Sequence, residues 1–355
     1  RAVSQALEAT TIHRLLGYLP GSPYFRHDAE RPLNADVVIV DEASMVDLAL
    51  MAKLVAAVRP EARLILLGDR DQLASVEAGS VLADICAAAE SATPDEPLHG
   101  AVVELRRNYR FAPTGGIYRV STAINAGDAD AAIAAFEQDA GGEAQWQPLP
   151  AAAKLPGALR ERVVAAFHPC LETEDPLHAL EQLQRFRILC ALRHGPFGVE
   201  NLNAIAEQIL AGAGLITPRQ GWYRGRPLTI TQNDYNFGLF NGDSGIVLPD
   251  SEGGGELRAF FVSAEGRLRR FLPSRLPSHE TAFAMTVHKS QGAEFDRLLL
   301  ILPEQDSPLL TRELLYTAIT RAREQVEIWS SEPVLRASLA RRVTRTSGLR
   351  EALRK

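Results

Sequence analysis

Two adjacent carboxylates, Asp41 and Glu42, close the apolar run at residues 36–40 (DVVIV). An Asp in such a place can hold Mg²⁺ directly or through water, and a neighbouring Glu can orient or deprotonate an attacking water, as phosphoryl transfer requires. The pair alone does not compel that chemistry. Acids also favour a helix N-terminus, and Ser44 and Asp47 follow closely. Twenty-eight residues after Asp41, a second apolar run at 63–67 ends in Gly68-Asp69-Arg70-Asp71-Gln72-Leu73, whose Gln72 could sense a γ-phosphate. Downstream stand Asn108-Tyr109-Arg110, then TVHKSQGAEF at 286–295 and YTAITRAR at 316–323. Arginines facing a phosphate cleft would supply the positive charge that γ-phosphoryl transfer needs. Taken singly, each arginine is more often a surface ion pair.

These residues need elements to position them. The β-branched runs at 36–40, 63–67 and 101–105, with helical segments at 46–58 and 80–89 between them, predict an α/β domain. The first run reads as a strand of a parallel sheet buried on both faces, with its polar chemistry at the strand C-terminus, where such sheets bind ligands. From about 125 to 175 the sequence turns rich in Ala, Gly, Pro and acids, which predicts a helical connector with flexible joints. A second α/β pattern follows: strand 186–192, helix 201–210, strand 298–302, helix 311–323 and strand 326–330. Short β-rich runs at 225–277, separated by NG, DS, GGG and EG turn signals, predict a small inserted β-barrel. The expected domains are therefore 1–125, a connector at 126–184, a second α/β domain at 185–224 with 278–355, and the insert at 225–277.

Composition bounds the function. With 46% hydrophobic and 23% charged residues in 355, the chain reads as an ordinary soluble protein. A net charge of −6 excludes a histone-like polycation, so any nucleic-acid site must be local. Cys86, Cys170 and Cys190 form no CxxC or Cys/His cluster, so neither a disulfide framework nor a zinc site is indicated, and a reducing cytoplasm is expected. The eight histidines include no HExxH pair. No apolar run approaches the roughly 18 residues that span a bilayer. From Arg336 onward the tail carries seven basic residues and one acid, Glu351, read either as a solvated helix face or as a phosphate or partner contact. The chain opens on Arg1 in what reads as mid-helix, which suggests a piece of a longer protein.

Seven strings in order resemble the superfamily-1 DNA helicases, and within them the RecD-type alpha subunits of exodeoxyribonuclease V. They are TIHRLLG (11–17), IVDEASMVDL (39–48), LLGDRDQLASVEAGSVLADIC (66–86), ILCALRHGPFGVENLN (188–203), GLFNGDSGI (238–246), PSRLPSHETAFAMTVHKSQGAEFD (273–296) and TRELLYTAITRAR (311–323). The resemblance implies two RecA-like parallel-sheet domains, the first incomplete, with an SH3-like barrel in the second. It implies ATP and Mg²⁺ as cofactors, with Asp41 serving the metal, Glu42 the water, and Gln72, Arg110 and Arg321 the γ-phosphate. Glu294 would reach the ribose beside Gly292. Thr11, His13, Asn241, Thr286 and His288 would line a single-strand track. The implied partners are single-stranded DNA, DNA ends, and RecB- and RecC-like subunits of a bacterial cytoplasmic helicase-nuclease, with any nuclease activity residing in a partner.

One departure is large. Such motors need a GxxxxGK[ST] loop whose amides and Lys cradle the β- and γ-phosphates. The four lysines here are Lys53, Lys154, Lys289 and Lys355, and none follows a Gly. The loop would precede Arg1, and the 355 residues alone are expected not to turn over ATP at a useful rate. A stand-alone RecD-like or conjugative-type helicase is the alternative within the enzymes. A non-catalytic single-strand-binding scaffold is the alternative outside them.

Overall fold

A computed structural model describes residues 9–19, 21–75, 79–105, 107–218, 221–263, 266–343 and 348–353. The stretch at 1–8, expected as part of a helix, and residues 344–347 and 354–355 of the basic tail lie outside the described residues. The chain forms two compact units, residues 1–106 with 344–355, and residues 107–343.

In the first unit, β1 (Val37–Val40) and β2 (Arg63–Leu66) pair in parallel, Val40 opposite Leu66. Helices α1 (Ile12–Leu15), α2 (Leu48–Ala57) and α3 (Val81–Glu90) accompany them. Asp47 caps α2 by accepting the Leu50 N–H at 2.8 Å, so the acid that starts this helix is Asp47 and not the Asp41-Glu42 pair. Leu16, Val38, Val40, Leu54, Val81 and Leu82 share one core, against which Leu349 of the short helix Leu349–Ala352 also packs. Two expectations are corrected here. β1 is buried on one face only, since Val37 and Ile39 are 50% and 54% exposed while Val38 and Val40 are buried. The run at 101–105 forms no strand, and its Val103 and Leu105 are 80% and 88% exposed. The first follows from strand geometry: side chains alternate faces with period two, and only one face of β1 meets the core.

The second unit is built on a five-stranded parallel sheet, order β10-β4-β11-β12-β3, formed by β3 (Ala144–Gln147), β4 (Phe186–Cys190), β10 (Ala284–Thr286), β11 (Phe295–Ile301) and β12 (Ala322–Trp329). The segment expected as a connector is built into this unit. It supplies α4 (Gly116–Ala126), α5 (Ala129–Glu137), edge strand β3, α6 (Leu155–Glu172) and α7 (Pro176–Gln184). Its alanines make close helix contacts, and Leu155, Leu159, Val163 and Phe167 of α6 enter the main core. Gly127 ends α4 at φ +73°, where a Cβ would overlap the Arg312 guanidinium that bonds the Asn125 carbonyl. Helices α8 (Val199–Gly212), α9 (Arg312–Ile319) and α10 (Glu332–Ala340) complete the layers. α9 stops at Ile319, earlier than expected, because β12 begins at Ala322; Arg321 therefore sits in the joint between them.

The insert is antiparallel: β5 (Pro227–Ile230), β6 (Ser244–Pro249), β7 (Leu257–Val262), β8 (Leu268–Phe271) and β9 (His279–Thr281), in the order β8-β7-β6-β5-β9. The expected barrel is not closed by pairing, since β8 and β9 are the two edges of the sheet. Leu228, Ile230, Val247 and Phe261 form a small core on one face, while Ile246, Leu248 and Phe260 join the main core. Among the described residues, no helix is long and apolar enough to cross a membrane.

Candidate functional site

In the first unit the chemistry gathers at the strand ends. Val40 lies opposite Leu66, so Asp41 and the Gly68-to-Gln72 turn emerge side by side. Glu42 is held at φ 51°, ψ 40°, and is the one non-glycine with positive φ among the described residues. Left-handed backbone is costly for a residue with a Cβ, and it persists where the surrounding bonds impose it. Here Asp41 Oδ1 accepts the Glu42 N–H at 2.9 Å, and the Ala43 N–H donates to the Leu67 carbonyl at 2.8 Å, locking the turn between the strands. A Cβ on Gly68 would meet Leu82 at 2.8 Å and the Ala43 nitrogen at 3.1 Å, so this close approach requires glycine.

Asp41 is exposed, while the Ser44 hydroxyl is buried without a hydrogen-bond partner. Among the described residues there is no group of three or more His, Cys, Asp or Glu that could hold a metal. Mg²⁺ is commonly held by one or two carboxylates, with water and substrate phosphates completing its shell. Gln72 lies beside Asp69, its Nε2 donating to Asp69 Oδ2 at 3.4 Å. Arg70, next in the turn, pairs with Glu90 of α3, whose hydrogen bond raises the guanidinium above its ordinary value against the effect of burial.

In the second unit, Arg110 and Glu294 meet at 2.9 Å, and the other oxygen of Glu294 accepts from Arg323 Nε at 3.0 Å. Burial lowers the affinity of Arg110 for its proton, Glu294 opposes this, and the like charges of Arg321 and Arg323 add to the lowering. Arg321 is buried, and its guanidinium donates to the carbonyls of Thr317 and Ala293 at 3.3 and 3.4 Å. Arg110 and Arg323 thus share one carboxylate, with Arg321 near enough to Arg110 to act on it as a like charge, a concentration of positive charge suited to a polyanionic ligand. Gly292 turns the chain at φ +75° just before Glu294. Sequence reasoning missed Arg323; its position two residues beyond Arg321, at the start of β12, was the available signal.

β10 ends at Thr286, and the turn after it carries His288. Thr286 caps the turn by accepting the Lys289 N–H at 3.4 Å. β10 is an edge strand whose free side is covered by Asn203 of α8. The Asn203 amide accepts the Ala284 N–H at 2.9 Å and donates to the Ala284 carbonyl at 3.0 Å, standing in for a further strand. Arg187, fully buried, donates to the Ala282 carbonyl just before β10 and lies 5.0 Å from the Phe295 ring just after Glu294. Burial pushes this guanidinium down to about 10. Neither residue was expected from sequence, because each acts on backbone or ring groups far away in the chain. Thr11 caps α1, accepting the Arg14 N–H at 3.3 Å, and the His13 ring packs edge-on to Phe25 at 5.7 Å. Asn241 lies on the exposed β5–β6 loop, its N–H donating to the Asn233 side chain at 2.8 Å.

Comparison with known proteins matches two separate segments of the chain. A family model described as an AAA domain matches residues 2–142, and one described as a UvrD-like helicase C-terminal domain matches 281–328. The RecBCD enzyme subunit RecD of Mycobacterium tuberculosis is 45% identical over 98% of this chain and 58% of its own length. The ATP-dependent RecD2 DNA helicase of Deinococcus radiodurans is 32% identical over 98% of this chain and 43% of its own length. A solved Bacteroides Pif1 helicase, in complex with ADP-AlF3 and single-stranded DNA, is 18% identical with a TM-score of 0.45, covering 90% of this chain and 78% of that one. The chain thus spans less than three fifths of the length of the two curated relatives, yet nearly all of it aligns with each of them. Nearly the whole chain therefore aligns with RecD-named relatives, at 45% identity to the mycobacterial subunit, with the AAA and UvrD-like segments in the expected order.

Proposed function

We propose that these 355 residues are the motor portion of an ATP-dependent, RecD-type DNA helicase that moves 5′ to 3′ along a single strand. The observation that carries this reading is the 45% identity to a RecD subunit across 98% of the chain. The strand-end pair Asp41-Glu42 and the arginine cluster around Glu294 support it. Mg²⁺, held through Asp41, would supply positive charge to the phosphates. Glu42 orients the attacking water and takes its proton, Gln72 senses the γ-phosphate, and Arg110 and Arg321 stabilise the charge developing on it. Glu294 and Gly292 border the nucleotide. Thr11, His13, Asn241, Thr286 and His288 hold the strand without reading its sequence.

The partners in this reading are DNA ends and RecB- and RecC-like subunits, in the bacterial cytoplasm. The 355 residues contain no GxxxxGK[ST] sequence, so the chain alone is not expected to turn over ATP. The 32% identity to RecD2 favours a second reading, a helicase that needs no partner subunits.

The test is single-strand-stimulated ATP hydrolysis by this chain and by a version extended N-terminally through a phosphate loop, with Glu42→Gln as control. Hydrolysis by the extended chain only, silenced by Glu42→Gln, is the expected result. Inactivity of both, with strand binding retained, would favour the scaffold reading. Full activity of the extended chain without RecB- and RecC-like subunits would favour the partner-free helicase.

A further inference from the structure

Lys289, in the turn that follows β10, and Arg193, in the loop that follows β4, converge on one carboxylate. Lys289 Nζ lies 2.8 Å from Glu280 Oε2, and Arg193 Nη2 donates to Glu280 Oε1. The two cations are therefore spaced to grip two oxygens of a single anionic group. β4 and β10 are parallel neighbours, Cys190 opposite Thr286, so both cations stand at the C-terminal end of the sheet, where parallel sheets take ligands. Glu280 comes from a different element, β9 of the antiparallel insert. All three side chains are reachable: Glu280 and Lys289 are about a third exposed and Arg193 half exposed. Burial pushes the Glu280 carboxyl up, but the hydrogen bonds from Lys289 and Arg193 outweigh it and hold the carboxylate ionised. Arg193 is further steadied by Glu200 of α8, 3.4 Å from its Nε. A carboxylate and a phosphodiester present two anionic oxygens with similar spacing, so one can take the other's place.

We propose that Arg193 and Lys289 form a binding site for a backbone phosphate of single-stranded DNA, and that Glu280 occupies this site when no strand is bound. The proposal rests on the reading of neighbouring Thr286 and His288 as strand contacts. Phosphate contacts supply affinity without sequence preference, and each contact to a single strand adds about 0.7 to the slope of log affinity against log salt. The insert is thereby coupled to the strand: when a phosphate enters, β9 loses its tie to the turn carrying His288.

The test measures oligothymidylate binding by fluorescence anisotropy across a tenfold range of salt, using the 355-residue chain, with melting temperatures as a folding control. Arg193→Gln and Lys289→Gln should each flatten the slope by about 0.7, so that a tenfold rise in salt costs each variant about fivefold less affinity than it costs the parent. Glu280→Gln, which removes the competing charge, should tighten binding at low salt by about threefold. Unchanged slopes in Arg193→Gln and Lys289→Gln, with His288→Ala still weakening binding, would overturn the site while leaving the strand track standing. Weaker binding in Glu280→Gln would overturn its role as occupant. Unchanged slopes accompanied by a raised KM for ATP in the extended chain would assign the site to a nucleotide phosphate and overturn the proposal. Failure of the parent chain to bind any oligonucleotide would remove the functional reading and this site together.

Discussion

Asn203 tests whether one side chain sets the position of the β10 turn. Its amide satisfies both the N–H and the C=O of Ala284, a residue 1% exposed on the edge strand. Asn203→Ala strands two buried backbone groups, and each such group costs about 1–3 kcal/mol. The expected loss of stability is therefore about 2–6 kcal/mol, a large share of a typical domain's total. Urea unfolding followed by tryptophan fluorescence measures it cleanly, because Trp146, Trp222 and Trp329, the only tryptophans, all lie in the second unit. Asn203→Leu separates the hydrogen bonds from the volume: it fills similar space but bonds nothing, so it should lose nearly as much as the alanine variant. If Asn203→Ala loses less than about 1 kcal/mol, or if Asn203→Leu regains most of the loss, packing rather than bonding holds β10, and the reasoning fails. In the extended chain, a milder Asn203→Ser should raise the strand concentration needed for half-maximal ATP hydrolysis while leaving the maximal rate nearly unchanged, since Thr286 and His288 are displaced but Glu42 is not.

Glu42→Gly should relieve left-handed backbone and raise the thermal stability of the first unit by about 0.5–1 kcal/mol in calorimetry, while abolishing hydrolysis in the extended chain. Glu294→Ala removes the shared counterion of Arg110 and Arg323; since all three are partly exposed, stability should fall by less than about 1 kcal/mol, whereas KM for ATP should change severalfold. Burial raises the thiols of Cys170 and Cys190 from 9.0 to about 12, so iodoacetamide at pH 8 should label them only in denaturant, as mass spectrometry would read. Because these folded-state values lie above the unfolded ones, the associated stability is intact below about pH 9 and is lost as pH rises toward about 12; added stability in that window would contradict the assignment.

The sequence by itself determined the local features. Apolar runs ending in polar groups located β1, β2, β4, β11 and β12, because burial demands that pattern over five or six consecutive residues. The string at 39–48 placed Asp41-Glu42 at a strand end, and the spacing of turn signals marked the antiparallel insert. The resemblance to RecD-type sequences was legible for the same reason: contiguous strings carry it. What only the tertiary structure decided were relations between distant residues. The Ala-rich stretch at 125–175 reads as a connector because alanine satisfies both exposed and closely packed helices, and only the packing of α6 and the pairing of β3 with β12 place it in the core of the second unit. The run at 101–105 has strand composition but no strand, because a strand needs a neighbour to bond with and composition cannot supply one. Arg323 on Glu294, Asn203 on Ala284, and Arg193 on Glu280 join residues from 29 to 87 positions apart. Such side-chain pairings leave no periodic mark in the sequence, since they arise only where the sheet's register and its loops bring the partners within hydrogen-bonding distance.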